Sequence, residues 1–287
     1  MLSISRRTDI PAFYMEGFMA AISRRLISVE NPYTRKVRQI PVTPDEVHTL
    51  VFWSKNFGPF LDARHGETLK AMGYHVFFQF TVNSGVPDLE PGVPPLDQRL
   101  EQFGELSRRF GPETVAWRFD PICHFFSEPG KIRNNLGDFD RIARSAADAG
   151  IRTCVASFMD LYPKIIRRSR GKLTFIDLPA ADKITLVLDL ERRLMPLGIH
   201  LALCCENAVA NQLPLFSTVR SGACVSGKRI MDRYGGSVSQ RADTGQRRGR
   251  GCGCTKSVDV GSYRLHPCLH NCLYCYANPA DGKRGGS

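Results

Sequence analysis

The chain reads as an α/β protein built on a parallel sheet. Short runs of apolar, β-branched or aromatic residues end in polar loops, stretches of helical periodicity separate them, and those stretches are long enough for the crossover that a parallel strand pair needs. The predicted strands are 2–5, 49–53, 75–81, 114–118, 152–157 and 200–203. Helices are expected near residues 12–25, 58–72, 96–110, 132–149 and 181–196. An extra hairpin is expected over residues 26–41, around Asn31-Pro32. Residues 235–251 hold glycine, serine and arginine with almost no apolar side chain, which predicts a mobile linker leading into a tail that folds back over the rest. The chain divides into an α/β part, 1–203, and a Cys-rich segment, 204–287, and no internal repeat is visible.

With 43% hydrophobic and 23% charged residues the chain can bury a substantial core. No apolar run reaches the eighteen or so residues of a membrane span, and the opening MLSISRRTDI lacks a secretory apolar stretch, so a soluble, cytoplasmic protein is expected. The net charge of +11 raises nucleic acid as a partner. Its clusters, KIIRRSRGK over 164–172, Arg247-Arg248-x-Arg250 and Arg24-Arg25, lack interleaved aromatics for base stacking. The charge therefore hints at a polyanionic or phosphorylated partner and no more.

Ten cysteines in a chain of cytosolic character point to metal rather than disulfides. Cys268-Leu-His-Asn-Cys272-Leu-Tyr-Cys275 puts three thiols in eight residues. A 4Fe-4S cluster takes four thiolates, so this loop leaves one iron for a small molecule or a borrowed ligand. Zinc, completed by His266 or His270, is the plainer alternative, although zinc cysteines usually come as separated pairs. Cys224, Cys252, Cys254 and one of the vicinal pair Cys204-Cys205 supply four further ligands, the number that a second cluster or a zinc site requires. Cys123 and Cys154 read as small buried hydrophobes.

The Cys-x3-Cys-x2-Cys spacing with Tyr274 before the last cysteine resembles the radical S-adenosylmethionine (SAM) superfamily. The resemblance implies a partial (β/α)6 TIM-like barrel, a SAM-cleaving cluster on Cys268, Cys272 and Cys275 with Tyr274 against the adenine side, and an external electron donor. In α/β barrels the loops after the strands gather at one face. There the strand ends offer Arg6, Arg7 and Asp9, then Lys55 and Asn56, Gln79 and Thr81, Arg118 and Asp120, Ser157 and Asp160, and Glu206. Any one of these also reads as a strand-end cap or local ion pair; together they form a polar rim for SAM and a small-molecule or phosphorylated substrate.

Longer strings resemble a bacterial family of unknown function carrying a radical-SAM-type motif at its C-terminus. They are Ser5-Arg-Arg-Thr-Asp-Ile-Pro-Ala-Phe-Tyr14, Val51-Phe-Trp-Ser-Lys-Asn56, Phe78-Gln-Phe-Thr81, Trp117-Arg-Phe-Asp-Pro121, Ser157-Phe-Met-Asp160, Cys252-Gly-Cys254 and Cys272-Leu-Tyr-Cys-Tyr-Ala-Asn278. The resemblance puts the second-site ligand on Cys204, with Cys205 in place of a small residue; Tyr274-Cys275-Tyr276 is also similar to the spore photoproduct lyase branch. In the superfamily the cluster loop follows the first strand, so the resemblance implies either a circularly permuted barrel, with Arg6 to Asp9 near SAM, or a tail that delivers the loop from outside. Two other classes compete: a zinc-stabilised nucleic-acid-binding protein and an iron-sulfur electron-transfer protein.

Overall fold

The structure is a computed structural model that describes residues 1–128 and 130–277. The chain opens with β1 (Leu2–Ile4), α1 (Ile10–Phe13) and α2 (Met15–Ser23), followed by the hairpin β2 (Leu26–Glu30) and β3 (Val37–Pro41). Next come β4 (Thr49–Ser54), α3 (Gly58–Asp62), α4 (His65–Ala71), β5 (His75–Thr81), α5 (Leu96–Phe110) and β6 (Val115–Ile122). Then follow β7 (His124–Glu128), β8 (Lys131–Asn134), α6 (Phe139–Asp148), β9 (Thr153–Phe158), α7 (Pro163–Ser169) and β10 (Thr174–Ile176). α8 (Ala180–Leu194), β11 (His200–Leu203), α9 (Asn207–Ala210), β12 (Arg220–Ser221), α10 (Gly227–Tyr234) and β13 (Val258–Asp259) complete it.

Eight strands make one parallel sheet in the order β12-β11-β9-β6-β5-β4-β1-β13. The α/β expectation holds, and the sheet is open, with β12 and β13 at its two edges. From β1 to β12 the spatial order follows the chain, so the crossovers all turn the same way and stack helices on one face. Side chains alternate accordingly. Leu50, Phe52, Val76, Phe78, Val115 and Trp117 join the large core shared with the helices. Val51, Phe77, Ala116 and Val155 face the other way and pack against Cys204, Cys205, Cys224, Val225, Ile230 and Cys254. The Cys-rich segment thus covers the inner face of the sheet.

Every predicted strand is present, β5 and β11 with the expected bounds, and the hairpin spans the expected residues 26–41. Three helix expectations need correction. Residues 10–23 form two helices in place of one near 12–25, because Tyr14, at φ −135°, interrupts the turn between them. Residues 58–72 form two helices, because Arg64 adopts φ 52° and breaks the turn, letting Gly66 tuck under the ring of Phe110. Residues 131–134 are a strand paired with β7, so the helix expected from 132 starts only at Phe139. Among the described residues no helix is long and apolar enough to cross a membrane.

Candidate metal centre

The strand-end loops surround a cavity of about 870 Å³. Of the predicted rim, Arg6, Arg7, Lys55, Thr81, Arg118, Asp120, Ser157 and Asp160 border it. So do Tyr274 and Cys275, together with Cys204, Cys205, Cys224, Cys252 and Cys254, which brings Cys275 of the terminal loop and the second cysteine set to one space; Cys268 and Cys272 are not part of the lining. Asp9, Asn56, Gln79 and Glu206 stand behind the lining in supporting roles.

The Cys268–Cys275 loop is seated from several directions. Gly92 donates its N–H to the His270 carbonyl at 3.0 Å, and Tyr14 donates its hydroxyl to the Pro267 carbonyl at 2.5 Å. From α7, Arg168 donates to the carbonyls of Cys272 at 3.1 Å, Leu273 at 3.3 Å, Cys275 at 2.7 Å and Ala277 at 3.3 Å. His270 is buried, with Nδ1 3.0 Å from the Gly92 carbonyl and Nε2 2.8 Å from an Asp9 carboxylate oxygen. Asp9 also accepts from Ala12 N at 3.0 Å, Ser54 Oγ at 2.8 Å and Lys55 N at 2.8 Å, which makes it a joint between β1, β4 and the loop. It is the one of Arg6, Arg7 and Asp9 whose side chain touches the loop, while the Arg6 carbonyl receives the Tyr276 hydroxyl at 2.8 Å.

Burial pushes the Cys268 thiol up to about 12, and Asp9 and Cys275 add to it. Burial likewise raises Cys272, opposed by Lys55 and reinforced by Glu90, Cys275 and Cys268. The three thiols therefore lie within electrostatic reach of one another. Lys55 Nζ sits 2.8 Å from Glu90 and over the Tyr274 ring; burial lowers its ammonium, but Glu90 and Cys272 outweigh that and raise it. Tyr274 donates its hydroxyl to Glu90 and receives an N–H from Asn83 at 3.1 Å.

The second set is a ring of five thiols. Cys204 lies 3.7 Å from Cys205 and 3.5 Å from Cys224, Cys205 is hydrogen-bonded to Cys252, Cys252 to Cys254, and Cys254 to Cys224. Cys254 accepts from Cys224 and Cys252, which holds it far below a normal thiol, while Cys204 and Cys205 are pushed up to about 12. Cys205 takes full part in the ring and adopts φ 62°, a left-handed conformation unusual for a residue with a Cβ. The vicinal pair therefore does not reduce to Cys204 alone. Arg118 donates to Cys224 and to Asp120, which also accepts from Ser157, and the Arg118 and Arg6 guanidiniums sit over the Trp53 ring at 5.0 and 5.1 Å.

The remaining rim residues buttress these two centres. Gln79 donates to the Cys224 carbonyl at 2.5 Å, Asn56 accepts from Gln102 at 2.9 Å and from Gly58 N at 3.0 Å, and Glu206 accepts from Phe158 N at 2.9 Å. Asp160 is held by Arg247 and Arg250, from the stretch expected as a linker. Arg6 faces Asp243 at 3.8 Å, and Arg7 donates to the Gly261 carbonyl at 2.9 Å. Asp259 accepts from Ser5 Oγ at 2.6 Å and Arg6 N at 2.8 Å, so β13 pins the first loop. Sequence reasoning missed Glu90, Arg168, Asp259 and the membership of Cys205; the vicinal cysteines were the one signal available. Asn278, the last residue of the terminal motif, lies outside the described residues.

Among the described residues no group of three or more His, Cys, Asp or Glu side chains is arranged to hold a single metal ion. A multi-iron cluster takes each thiolate on a different iron, so its ligands need not converge on one point. Free thiols close enough to perturb one another, flanked by Lys55, Arg118 and backbone donors, fit such a cluster in chemistry and charge. No curated protein matches the chain. The family model described as Domain of unknown function (DUF1848) matches residues 1–277, and the chain belongs to that family.

Proposed function

We propose that this protein is a cytoplasmic radical SAM enzyme with a 4Fe-4S cluster on Cys268, Cys272 and Cys275, and a second cluster or zinc on the Cys204/Cys205/Cys224/Cys252/Cys254 ring. The observation that carries the reading is a three-cysteine loop held at the strand ends of a parallel sheet, beside a cavity of about 870 Å³ that the second cysteine set also borders. Cys268, Cys272 and Cys275 would hold such a cluster, which when bound would supply the electron that cleaves SAM to methionine and a 5′-deoxyadenosyl radical, chemistry that acid and base side chains do not provide.

The strand order supports a permuted partial (β/α)6 barrel. β13 pairs in parallel with β1 at the sheet edge, and the cysteine loop follows β13, so β13 occupies the place of a first strand and β1 that of a second. The chain's own groups divide the work. Arg168 and Gly92 orient the loop through its carbonyls, Tyr274 and Lys55 wall the cavity next to Cys275, and Arg118, Trp53 and Asp120 line the same cavity, with Arg118 on Cys224. The electron comes from an external donor.

The test is anaerobic reconstitution with iron, sulfide and zinc analysis, then reduction with dithionite in the presence of SAM and chromatography of the products. Slow formation of 5′-deoxyadenosine and methionine without substrate is expected. Iron and sulfide without 5′-deoxyadenosine would favour electron transfer, and zinc alone would favour a structural metal.

A further inference from the structure

The β2–β3 hairpin also borders the cavity, and the proposed chemistry leaves it without a role. Opposed residues of an antiparallel pair share a face: Ile27 stands opposite Ile40 and Val29 opposite Arg38. Ile27 and Val29 are buried in the main core and Ile40 packs on it, so this is the inward face of the hairpin. Arg38 continues that face, and with the strand period of two so does Lys36. Both border the cavity. Neither has an anionic partner among the described residues. Other cations of the lining are paired: Arg6 with Asp243, Arg7 with Asp259, Lys55 with Glu90, Arg118 with Asp120 and Arg247 with Asp160.

The tip next to these cations is stiff and aromatic. Asn31 Oδ1 accepts from Tyr33 N at 2.9 Å and Thr34 N at 3.0 Å, and the Asn31 carbonyl accepts from Arg35 N at 3.0 Å. Those bonds fix a turn that presents Tyr33 with 90% of its surface exposed, also at the cavity edge. Tyr263 borders the same cavity and lies within electrostatic reach of Tyr33. Two uncompensated like charges on one strand face attract a compact anion, and an exposed ring beside them offers a stacking surface.

We propose that the hairpin binds a nucleoside phosphate at the cavity mouth, with the phosphate on Lys36 and Arg38 and the base against Tyr33. The site serves a free nucleotide or one unit of a nucleic acid strand, and it does not depend on any metal. SAM carries a net positive charge, so Lys36 and Arg38 favour an anionic ligand of the cavity over it.

Titration calorimetry on the full chain as purified, without added iron or SAM, tests this with AMP, adenosine, inorganic phosphate and a short single-stranded oligonucleotide. AMP should bind more tightly than adenosine or phosphate alone. Lys36→Ala and Arg38→Ala should each weaken AMP by about tenfold, the cost of one charge-assisted bond. Tyr33→Ala should weaken AMP while leaving inorganic phosphate unchanged. The oligonucleotide binding through the same residues at least as tightly as AMP identifies a nucleic acid strand as the source; binding of AMP alone identifies a free nucleotide. Absence of AMP and oligonucleotide binding by the native chain, or equal binding by a correctly folded Lys36→Ala/Arg38→Ala protein, overturns the proposal. Because reconstitution plays no part, either result leaves the test of SAM cleavage independent.

Discussion

Asp9 directs its carboxylate wholly into the protein, where it meets two backbone N–H groups, the Ser54 hydroxyl and His270. Replacing it with Ala strands these donors in a buried space. Asp9→Ala should therefore lose about 3–5 kcal/mol in urea unfolding, from stranding several buried donors at about 1–3 kcal/mol each; wild-type stability would show that His270 and the loop do not rely on it. The sequence revealed that Asp9 follows the first strand, and so its place near the loop was legible. Its orientation away from the cavity was not, because that depends on a histidine 261 residues later. Glu191 is a second buried acid, structural in character. Burial raises its carboxyl, but hydrogen bonds from Thr218 and Ser217 outweigh this and hold it below the usual carboxylate range. Its stabilising contribution is present above the unfolded-state pKa, near 4.3, and is lost as pH falls through the lower folded value. Glu191→Gln should cost about 1–3 kcal/mol at pH 7 and progressively less in acid. A pH-independent difference between the two proteins would contradict that account.

Among the elements, the long buried strands were legible because their apolar runs exceed the surrounding pattern. β10, β12 and β13 span only two or three residues each and carry no period to detect. α7 was hidden for another reason: KIIRRSRGK looks like a solvated charge run, yet Arg168 turns inward onto three carbonyls of the cysteine loop and that of Ala277 just beyond it. The loop's opposite seat is Gly92. A Cβ there would fall 2.5 Å from the Leu269 carbonyl oxygen and 2.9 Å from His270 Cα, both backbone atoms that cannot swing aside. Gly92→Ala should accordingly destabilise the protein by about 1–3 kcal/mol and lower its iron content after reconstitution. Unchanged iron and an unchanged unfolding midpoint would mean that the loop shifts freely.

At the scale of the molecule, composition and alternation sufficed for a parallel α/β architecture and for the gathering of strand-end polar groups. What they did not disclose is that Cys275 of the terminal loop shares one cavity with the second cysteine set, in which five thiols rather than four come together. The two centres should therefore be separable by mutation. Replacing Cys268, Cys272 and Cys275 together should remove about four irons, the content of one cubane, and leave the metal of the second set in place. Full iron in that variant, measured by metal analysis, would break the assignment of the terminal cysteines. The parallel pairing of β13 with β1 reaches further than geometry. Asp259 and His270 must join a loop made 254 to 261 residues earlier, and a ribosome adding roughly 5–20 residues per second needs tens of seconds to deliver them. Through that interval the first strand waits with an unpaired edge on the nascent chain. The seat of the Cys268–Cys275 loop is consequently completed late, only once residues 261 positions downstream of Asp9 have been made.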